Sequence, residues 1–453
     1  MACKRSSVRL RYAPLEITAT SVAFFVFIQF KLTSLNSNLP AVERTQNALR
    51  TTLLTLFFIL AMILAFGIIR KAFYPLEFFA PSMLIQWDAE HYMFIRDNGY
   101  EGFRVAFFPL FPWLMKLLPK EPTWAFLMNL SLLMSGLFLL AGSLKISLRI
   151  VLAFVSIPLS VFFLLPYSES TFFFAAALLI VGLVRENSPM VAFALFIATL
   201  ARPSYAILLP ALLLADFYCF GFKRVTLLRS VTRIFIVLLA TMIVAVVQWE
   251  STGQWFEFFS VQSDWGNQLQ IPGFPFSSWS GVFMTIVDAV AFIIGMISGL
   301  WLVYLIWKRL NGTRPSEPSW VIASLAFLGG ITLSVLLFRG GVMFSLSRFV
   351  FATPFLIVIM NHIHKKQFSL RPMQWITLFL IVNLTFLMFG SYVHILTILK
   401  FASAAIWIMA ILLFLSNSTG VVISNFIFLS LLLFNIVLWI VFANRYVMGM
   451  WIG

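Results

Sequence analysis

The sequence predicts an all-α polytopic membrane protein, a bundle of about 12–13 transmembrane helices with a large first outer loop. Three observations lead to this fold class. Of the 453 residues, 61% are hydrophobic and only 10% are charged. The mean hydropathy is +0.99, and 52 residues are phenylalanine. Apolar runs of about 20 residues, the length that a helix needs to cross a bilayer, recur along the chain.

Two regions follow from this pattern. Residues 1–51 form a basic N-terminal segment with one short apolar stretch at 17–30. No small-residue cleavage site stands out after it, so we expect an interfacial or partly inserted helix there, with a cleaved signal peptide as the alternative. Residues 52–453 form the predicted transmembrane domain. Its expected spans lie near 52–69, 123–141, 150–165, 170–184, 189–201, 204–220, 232–249, 281–307, 319–338, 349–361, 373–389, 395–415 and 421–442.

The distribution of basic residues predicts the orientation of these spans. If the N-terminal segment stays in the cytoplasm, the short loops on the same side hold most of the lysines and arginines found between spans. The opposite short connections hold only Arg202, Arg339 and Arg348, and the segment 250–280 holds no Lys or Arg. Because cytoplasmic loops carry the excess of positive charge, loops 70–122 and 250–280 are expected on the outer or lumenal face.

Composition also excludes several kinds of protein. The formal net charge of +15 is accounted for by the orientation signal, so nucleic acid is not an expected partner, whereas the lipid bilayer is. With only two cysteines, Cys3 and Cys219, we expect neither a disulfide framework nor a thiolate metal site. No group of side chains has metal-ligand spacing, so we predict no metal or other cofactor, and acids in the outer loops leave a divalent ion as an open alternative.

Polar residues and prolines interrupt some apolar runs. The run 189–201 ends at Arg202 and Pro203, where proline prevents a continuous helix. Short segments of this kind are tolerated where protein or a water-filled cavity satisfies their backbone, so a cavity that opens outward is expected. Asp288, His394 and Lys400 are each expected to be a paired polar group in the bundle or the cavity.

The candidate catalytic residue is Asp88, in the acidic and aromatic run 86–92 between two apolar stretches. A charge in hydrocarbon costs a few kcal/mol or more, so acids placed here need an explanation. Asp88 precedes a predicted helix and is therefore either its N-cap or a general base at the membrane surface. Glu90 and His91 are alternative acids or bases, followed by Tyr92, and on a helix Asp88 and His91 share a face.

Two arginines and one glutamate are the other candidates for this site. Arg202 and Arg348 lie at outer ends of apolar segments. Either arginine could anchor at the headgroups by snorkelling, or could hold a lipid phosphate through two parallel hydrogen bonds. Glu169 follows the turn at Ser168 and is interpreted either as a helix cap or as a member of the site.

The outer segment 250–280 contributes the last set of candidate binding residues. Its run 258–267 combines aromatic residues with the hydrogen-bonding side chains of Gln262 and Asp264, and Trp265 follows directly. Aromatic faces beside amides and acids are suited to binding a sugar, which has an apolar face and a rim of hydroxyls. An interfacial aromatic belt would have a similar composition.

A series of short motifs follows the chain in a set order. They are Trp87-Asp88-Ala89-Glu90-His91-Tyr92, Gly99-Tyr100, Phe107-Phe108-Pro109-Leu110-Phe111-Pro112, Pro166-Tyr167-Ser168-Glu169, Ala201-Arg202-Pro203, Gln262-Ser263-Asp264-Trp265 and Ser347-Arg348-Phe349. This set resembles the PIG-V-like mannosyltransferases, GT-C glycosyltransferases related to the enzyme that adds the second mannose in GPI-anchor assembly. The resemblance covers about residues 80–355 and is most specific in its first motifs. Phe349 stands where the family often has tyrosine, and Ala201 where threonine is frequent.

The resemblance implies a GT-C-like enzyme that transfers mannose, with inversion, from a polyprenyl-phosphate-mannose donor to a hydroxyl of a glycolipid or glycan acceptor. Asp88 would be the catalytic base, and Arg202 and Arg348 would hold the donor phosphate. The motif at 107–112 lacks the histidine-containing lead-in of the eukaryotic enzymes. A bacterial plasma membrane is therefore the expected location, and the endoplasmic reticulum membrane if the protein is eukaryotic. A lipid flippase or secondary transporter, or a GT-C enzyme for another sugar, is the alternative.

Overall fold

The computed structural model describes residues 41–75, 80–278, 281–389, 395–416 and 420–453. Most of the basic N-terminal segment and His394 lie outside these ranges. By internal contacts the chain divides into Met1–Asn47 and Ala48–Gly453, and every candidate site residue lies in the second unit. The described α-helices, in chain order, are α1 (Ala41–Phe73), α2 (Asp88–Asn98), α3 (Leu110–Lys116), α4 (Pro122–Leu144), α5 (Leu148–Val155), α6 (Glu169–Val184), α7 (Ser188–Ala201), α8 (Tyr205–Phe220), α9 (Arg224–Thr252), α10 (Glu257–Asp264), α11 (Val282–Leu310), α12 (Ser319–Phe338), α13 (Leu346–Phe351), α14 (Pro354–Lys366), α15 (Pro372–Phe386), α16 (Ile395–Ser416) and α17 (Val421–Val447).

The regular secondary structure of the described part of the chain is helical, with two isolated β-bridges, so the predicted all-α polytopic membrane protein is confirmed. Seven of the described helices are long and apolar enough to cross a membrane by themselves: α1, α4, α9, α11, α12, α16 and α17. Four more apolar helices, α6, α7, α8 and α15, are shorter. The predicted figure of about 12–13 spans therefore combines full-length helices with half-length and broken ones.

Two of the predicted spans are broken, which corrects the sequence analysis. The expected helix at 150–165 is divided into α5 and the 3₁₀ helix Pro158–Phe163. The expected helix at 349–361 is divided into α13 and α14, and α14 has Pro354 in its first turn. In both cases the proline has no N–H to donate to the preceding turn, and its ring clashes with the backbone of that turn. Each apolar run therefore contains two shorter helices.

The helix ends divide into two groups, which we call the basic end and the site end. At the basic end, the Lys365 ammonium donates to the Leu144 carbonyl (2.5 Å), and Lys366 forms an ion pair with Glu317. At the site end, the Gln248 amide of α9 donates to the carbonyl of Val105 in the first large loop (2.9 Å). Successive helices run between these ends, so all the candidate site residues are gathered at one end.

The helices α11 and α12 approach each other closely through glycines. A Cβ added to Gly329 would lie 2.8 Å from the Gly299 Cα, and one added to Gly295 would overlap the Thr332 hydroxyl. Small residues allow the two backbones to approach closely. In a membrane, where the hydrophobic effect does not drive helices together, such close packing stabilises their association. The close pair fixes the position of Asp288, on α11, relative to the loop that follows α12.

Candidate functional site

Four charged side chains form one continuous network at the site end. The Arg348 Nη1 lies 2.7 Å from the Asp88 Oδ2, and the Arg348 Nε donates to the Glu169 Oε1. The same Glu169 oxygen accepts from the Arg202 Nη1 at 2.9 Å. Two acids and two arginines balance each other, as buried charges in a membrane protein require. The structure therefore brings together the four charged residues that the sequence analysis had assigned separately to base, phosphate and cap roles.

The members of this network differ in their access to solvent. The side chain of Glu169 is 0% exposed, and those of Arg348 and Arg202 are 5% and 9% exposed. Asp88 is 24% exposed and is the most accessible member. The network thus has a buried glutamate at its centre, an arginine on either side, and the Asp88 carboxylate facing outward.

Arg348 is positioned by the short helix α13 and by two aromatic rings that its guanidinium contacts. The Asp288 Oδ1 accepts from the backbone N–H of Ser347 (2.9 Å), which fixes α13 against α11. The guanidinium lies over the rings of Phe162 and Tyr167, at 5.2 and 4.7 Å from their centroids. Burial alone lowers the pKa of Arg348, but the charges of Glu169 and Asp88 outweigh it and raise the pKa, so Arg348 is a permanent cation.

Asp88 is positioned by backbone contacts on the residues before it. Trp87 occupies the N-cap position of α2 with a φ of 57°, and no side chain caps the helix. The interpretation of Asp88 as an N-cap is therefore wrong, because its carboxylate pairs with Arg348 instead. The hydroxyls of Tyr167 and Tyr446 both donate to the Gln86 carbonyl at 3.1 Å. Two buried tyrosines, one from the corner before α6 and one from α17, thus hold the turn that presents Asp88.

Glu169 and Arg202 are also ordered by their surroundings. The Asn129 amide donates to the carbonyls of Leu165 and Tyr167, which fixes the corner before α6. No side chain caps α6, and Glu169 pairs with both arginines, so its interpretation as a helix cap is wrong. Arg202 is buried and paired, so the snorkelling interpretation is wrong as well.

An aromatic cluster lies beside the network. The His91 ring centroid lies 5.1 Å from those of both Phe103 and Phe107. Trp265, which is 45% exposed, approaches the same two rings at 6.5 and 6.2 Å. Burial lowers the pKa of His91, although Asp88 opposes this shift, so the imidazole is neutral at pH 7. His91, one helical turn after Asp88 on α2, thus joins Phe103, Phe107 and Trp265 in an aromatic wall.

The remaining predicted residues have different surroundings. The Tyr92 hydroxyl is buried against the Ser168 hydroxyl at 2.8 Å, on the inner side of the site. Gln262 accepts from the Asn267 amide (2.7 Å). The side chains of Glu90 and Asp264 are exposed and take no part in the charged network.

One further cation, Arg339 at the end of α12, contacts the outer segment 250–280 and was not assigned to the site from the sequence. The Arg339 Nε donates to the Asn267 Oδ1 at 2.9 Å, so it continues the hydrogen-bonded chain from Gln262. Its guanidinium also lies 3.8 Å from the Phe344 ring centroid. Burial lowers the pKa of Arg339 to about 10, which leaves it charged at neutral pH. In the sequence, Arg339 could have been recognised because it is one of only three basic residues in the short outer connections.

Among the residues that the structure describes, no group of three His, Cys, Asp or Glu side chains is arranged to hold a metal ion. The groups that converge at the site are instead two guanidiniums, two carboxylates and several aromatic rings. Guanidiniums bind phosphate and carboxylate groups, a carboxylate accepts a proton, and aromatic walls bind the apolar face of a sugar. The arrangement is thus suited to an anionic substrate that also presents a hydroxyl.

We predict that Glu169→Gln lowers the free energy of unfolding by about 3–5 kcal/mol, because it leaves two buried arginines without their shared counter-charge. The measurement is the thermal unfolding of the detergent-purified protein. Glu90→Gln, an exposed acid near the same site, is the matched control and is expected to change the stability by less than about 0.5 kcal/mol. Equal stability of the two variants would contradict the central role of Glu169.

No family model, no curated protein and no solved structure matches this chain. The resemblance to PIG-V-like mannosyltransferases therefore stays a prediction from the sequence motifs. The charged network and its aromatic wall stand on the contacts between the residues themselves.

Proposed function

We propose that the protein is a membrane-embedded glycosyltransferase that transfers mannose from a polyprenyl-phosphate-mannose donor to a hydroxyl of a glycolipid or glycan acceptor. The observation that carries this proposal is the contact of Asp88 with Arg348 at 2.7 Å. It joins a solvent-facing carboxylate to a buried cation that is suited to hold a phosphate. Transfer from a phosphate leaving group needs a base for the acceptor hydroxyl and cations for the phosphate, and this network contains both kinds of group.

In the proposed reaction, Asp88 is the general base. The acceptor hydroxyl attacks the anomeric carbon of the sugar as the bond from that carbon to the phosphate oxygen breaks. Asp88 takes the proton of the hydroxyl, and the polyprenyl phosphate leaves with the bonding electrons. Removal of the proton by a positioned base typically contributes about 10²–10⁴-fold to the rate.

Arg348 and Arg202 are proposed to hold the phosphate during this step. A guanidinium has five N–H donors, and the described contacts of Arg348 with acids use its Nε and Nη1. Other N–H groups of Arg348 remain for phosphate oxygens. Arg202 shares Glu169 with Arg348, so one carboxylate charge is divided between two guanidiniums. Because these cations are largely buried, their attraction for a phosphate is stronger than it would be in water.

The distribution of charge between the two ends supports an outer or lumenal location of this site. Lys145, Lys308, Lys365 and Lys366 lie at the opposite end, where positive residues mark the cytoplasmic face. A lipid-linked donor of the outer leaflet presents its phosphate at the membrane surface, where α6 begins and α7 ends. The aromatic wall of His91, Phe107 and Trp265 lies beside this position and is suited to the sugar.

A lipid flippase or secondary transporter is the second candidate, because α6, α7 and α8 are shorter than full spans. The two functions differ in what they do to the donor. An enzyme converts labelled lipid-linked mannose into a new glycoside without any gradient across the membrane. A transporter moves a molecule and leaves its covalent bonds intact. Conversion of a different sugar but not mannose would identify a related enzyme.

We predict that Asp88→Asn abolishes glycosyl transfer, because an amide cannot take up the proton of the acceptor hydroxyl. The measurement is the transfer of labelled mannose from the lipid donor in membranes that contain the protein, relative to membranes without it. Asp97→Asn is the matched control, since Asp97 lies on the same helix and pairs with Arg96 away from the network. Near-normal transfer by correctly inserted Asp88→Asn would remove Asp88 from the mechanism.

We also predict that Arg348→Lys and Arg202→Lys raise the apparent KM for the lipid donor about tenfold or more. Lysine keeps the charge that Glu169 needs but loses the planar pair of donors that fits a phosphate. Arg104→Lys is the control, because Arg104 lies at the same end and stacks on Phe94 at 3.8 Å instead of joining the network. An unchanged donor KM in both variants, with normal protein levels, would refute the phosphate role.

A further inference from the structure

A cavity of about 250 Å³ opens between α11, α16 and α17, apart from the charged network. Its walls are almost entirely apolar, with Phe283, Val287, Trp407 and Phe442 among the contributors. Water is a poor occupant of such a space, because it finds too few polar partners there. In a membrane protein the available apolar occupant is a hydrocarbon chain of the surrounding lipid.

The cavity lies in the half of the bundle that is nearer the site end. It is lined by Phe283 from the first turn of α11, which begins at the site end, and by Phe442 from the last turns of α17, which finishes there. The other end of the bundle contributes no lining residue. The cavity therefore lies at the depth of one leaflet, the one that faces the same side as Asp88.

A single charged residue, Lys400, lines this cavity. Lys400 lies five residues after the start of α16, or roughly 7 Å along the helix from its site-end terminus. The side chain is exposed, and among the described residues no acid pairs with it. A lysine at this depth extends its ammonium toward the headgroup level, while its methylene stem lies along apolar surface. An unpaired ammonium above an apolar cavity is complementary to a lipid with an anionic headgroup.

The cavity shares walls with the proposed active site but does not open into the network. Phe351 lines the cavity and lies one helical turn after Arg348 on α13. Leu159 lines it as well and belongs to the same 3₁₀ helix as Phe162, which lies beneath Arg348. None of the four charged residues of the network lines the cavity. A phosphate held at Lys400 is thus separate from one held at Arg348.

We propose that this cavity binds an acyl chain of an anionic glycerophospholipid from the outer or lumenal leaflet, whose phosphate is held by Lys400. This lipid is a resident of the fold and separate from any ligand of the charged network, because none of the four network residues lines its cavity. The chain fills the space between α11, α16 and α17 and supports the wall formed by Phe351 and Leu159. The proposal does not depend on the proposed function, since it concerns a different lipid and a different cation.

The test is the thermal unfolding of the detergent-purified full chain after addition of dioleoyl phosphatidylglycerol or dioleoyl phosphatidylcholine at equal mole fraction. A ligand that binds the folded protein raises its unfolding temperature. We expect the phosphatidylglycerol to raise it by several degrees and the phosphatidylcholine by less than half as much. Lys400→Gln is expected to remove at least half of the increase that phosphatidylglycerol causes. Lys116→Gln, which removes a charge from an exposed lysine at the same end, is expected to keep all of it.

A second variant tests the cavity itself. Ala404 lines the cavity, and Ala404→Trp fills it from α16 without a change of charge, so this variant is also expected to lose the increase. Equal stabilisation of the original protein by both phospholipids, or an unchanged response of both Lys400→Gln and Ala404→Trp, would overturn the proposal. It would also be overturned if polyprenyl phosphate, and not phosphatidylglycerol, stabilised the original protein in a manner that Lys400→Gln abolishes.

Discussion

The pairing of one fully buried carboxylate with two arginines is the constraint on which the site depends. Glu169 has no exposed surface, and the same oxygen accepts from Arg202 and Arg348. A carboxylate in this position is tolerated only because its partners neutralise it, and each arginine is tolerated for the same reason. Since the three residues come from α6, the end of α7 and α13, their pairing fixes the relative positions of three segments. Asp88 completes the balance of charge and brings α2 to the same place.

The backbone around this network is held by hydrogen bonds from polar side chains outside the network. Asn129 bonds to the corner before Glu169, Asp288 bonds to the N–H next to Arg348, and Tyr446 bonds to the carbonyls of Leu84 and Gln86 before Asp88. Each of these bonds joins segments that are far apart in the chain. They set the direction in which each charged side chain leaves the backbone, so the four charges meet without first being ordered by a substrate. Such preorganisation is the usual basis of electrostatic stabilisation in an active site.

The sequence predicts the fold class well because hydropathy alone identifies helices that must satisfy their own backbone in a membrane. It also identifies the four charged residues as site candidates, because a charge at the edge of an apolar run is costly and marks a functional position. It does not predict how they pair, because Arg348 and Asp88 are separated by 260 positions and Arg202 and Glu169 by 33. Hydropathy is equally insensitive to Pro158 and Pro354, whose effect is to break a run that remains apolar. The supporting role of Tyr446 was missed because an isolated tyrosine at a helix end is also typical of a membrane interface.

The burial gradient across the network accords with the proposed enzyme. Exposure rises from Glu169 to Arg348 and then to Asp88, so the network opens to solvent through the aspartate. On the other side of Glu169, the helix α6 runs toward the basic end, and nearly all its side chains are buried. Tyr92 and Ser168 add a buried hydrogen bond beside the start of that helix. Beyond Arg348 the bundle is closed and packed, so a substrate that reaches Arg348 would enter and leave on the side of Asp88. Such a geometry is suited to a reaction in which donor and acceptor meet at one membrane face, whereas transport would require α6 and its neighbours to separate and break the buried ion pairs of Glu169.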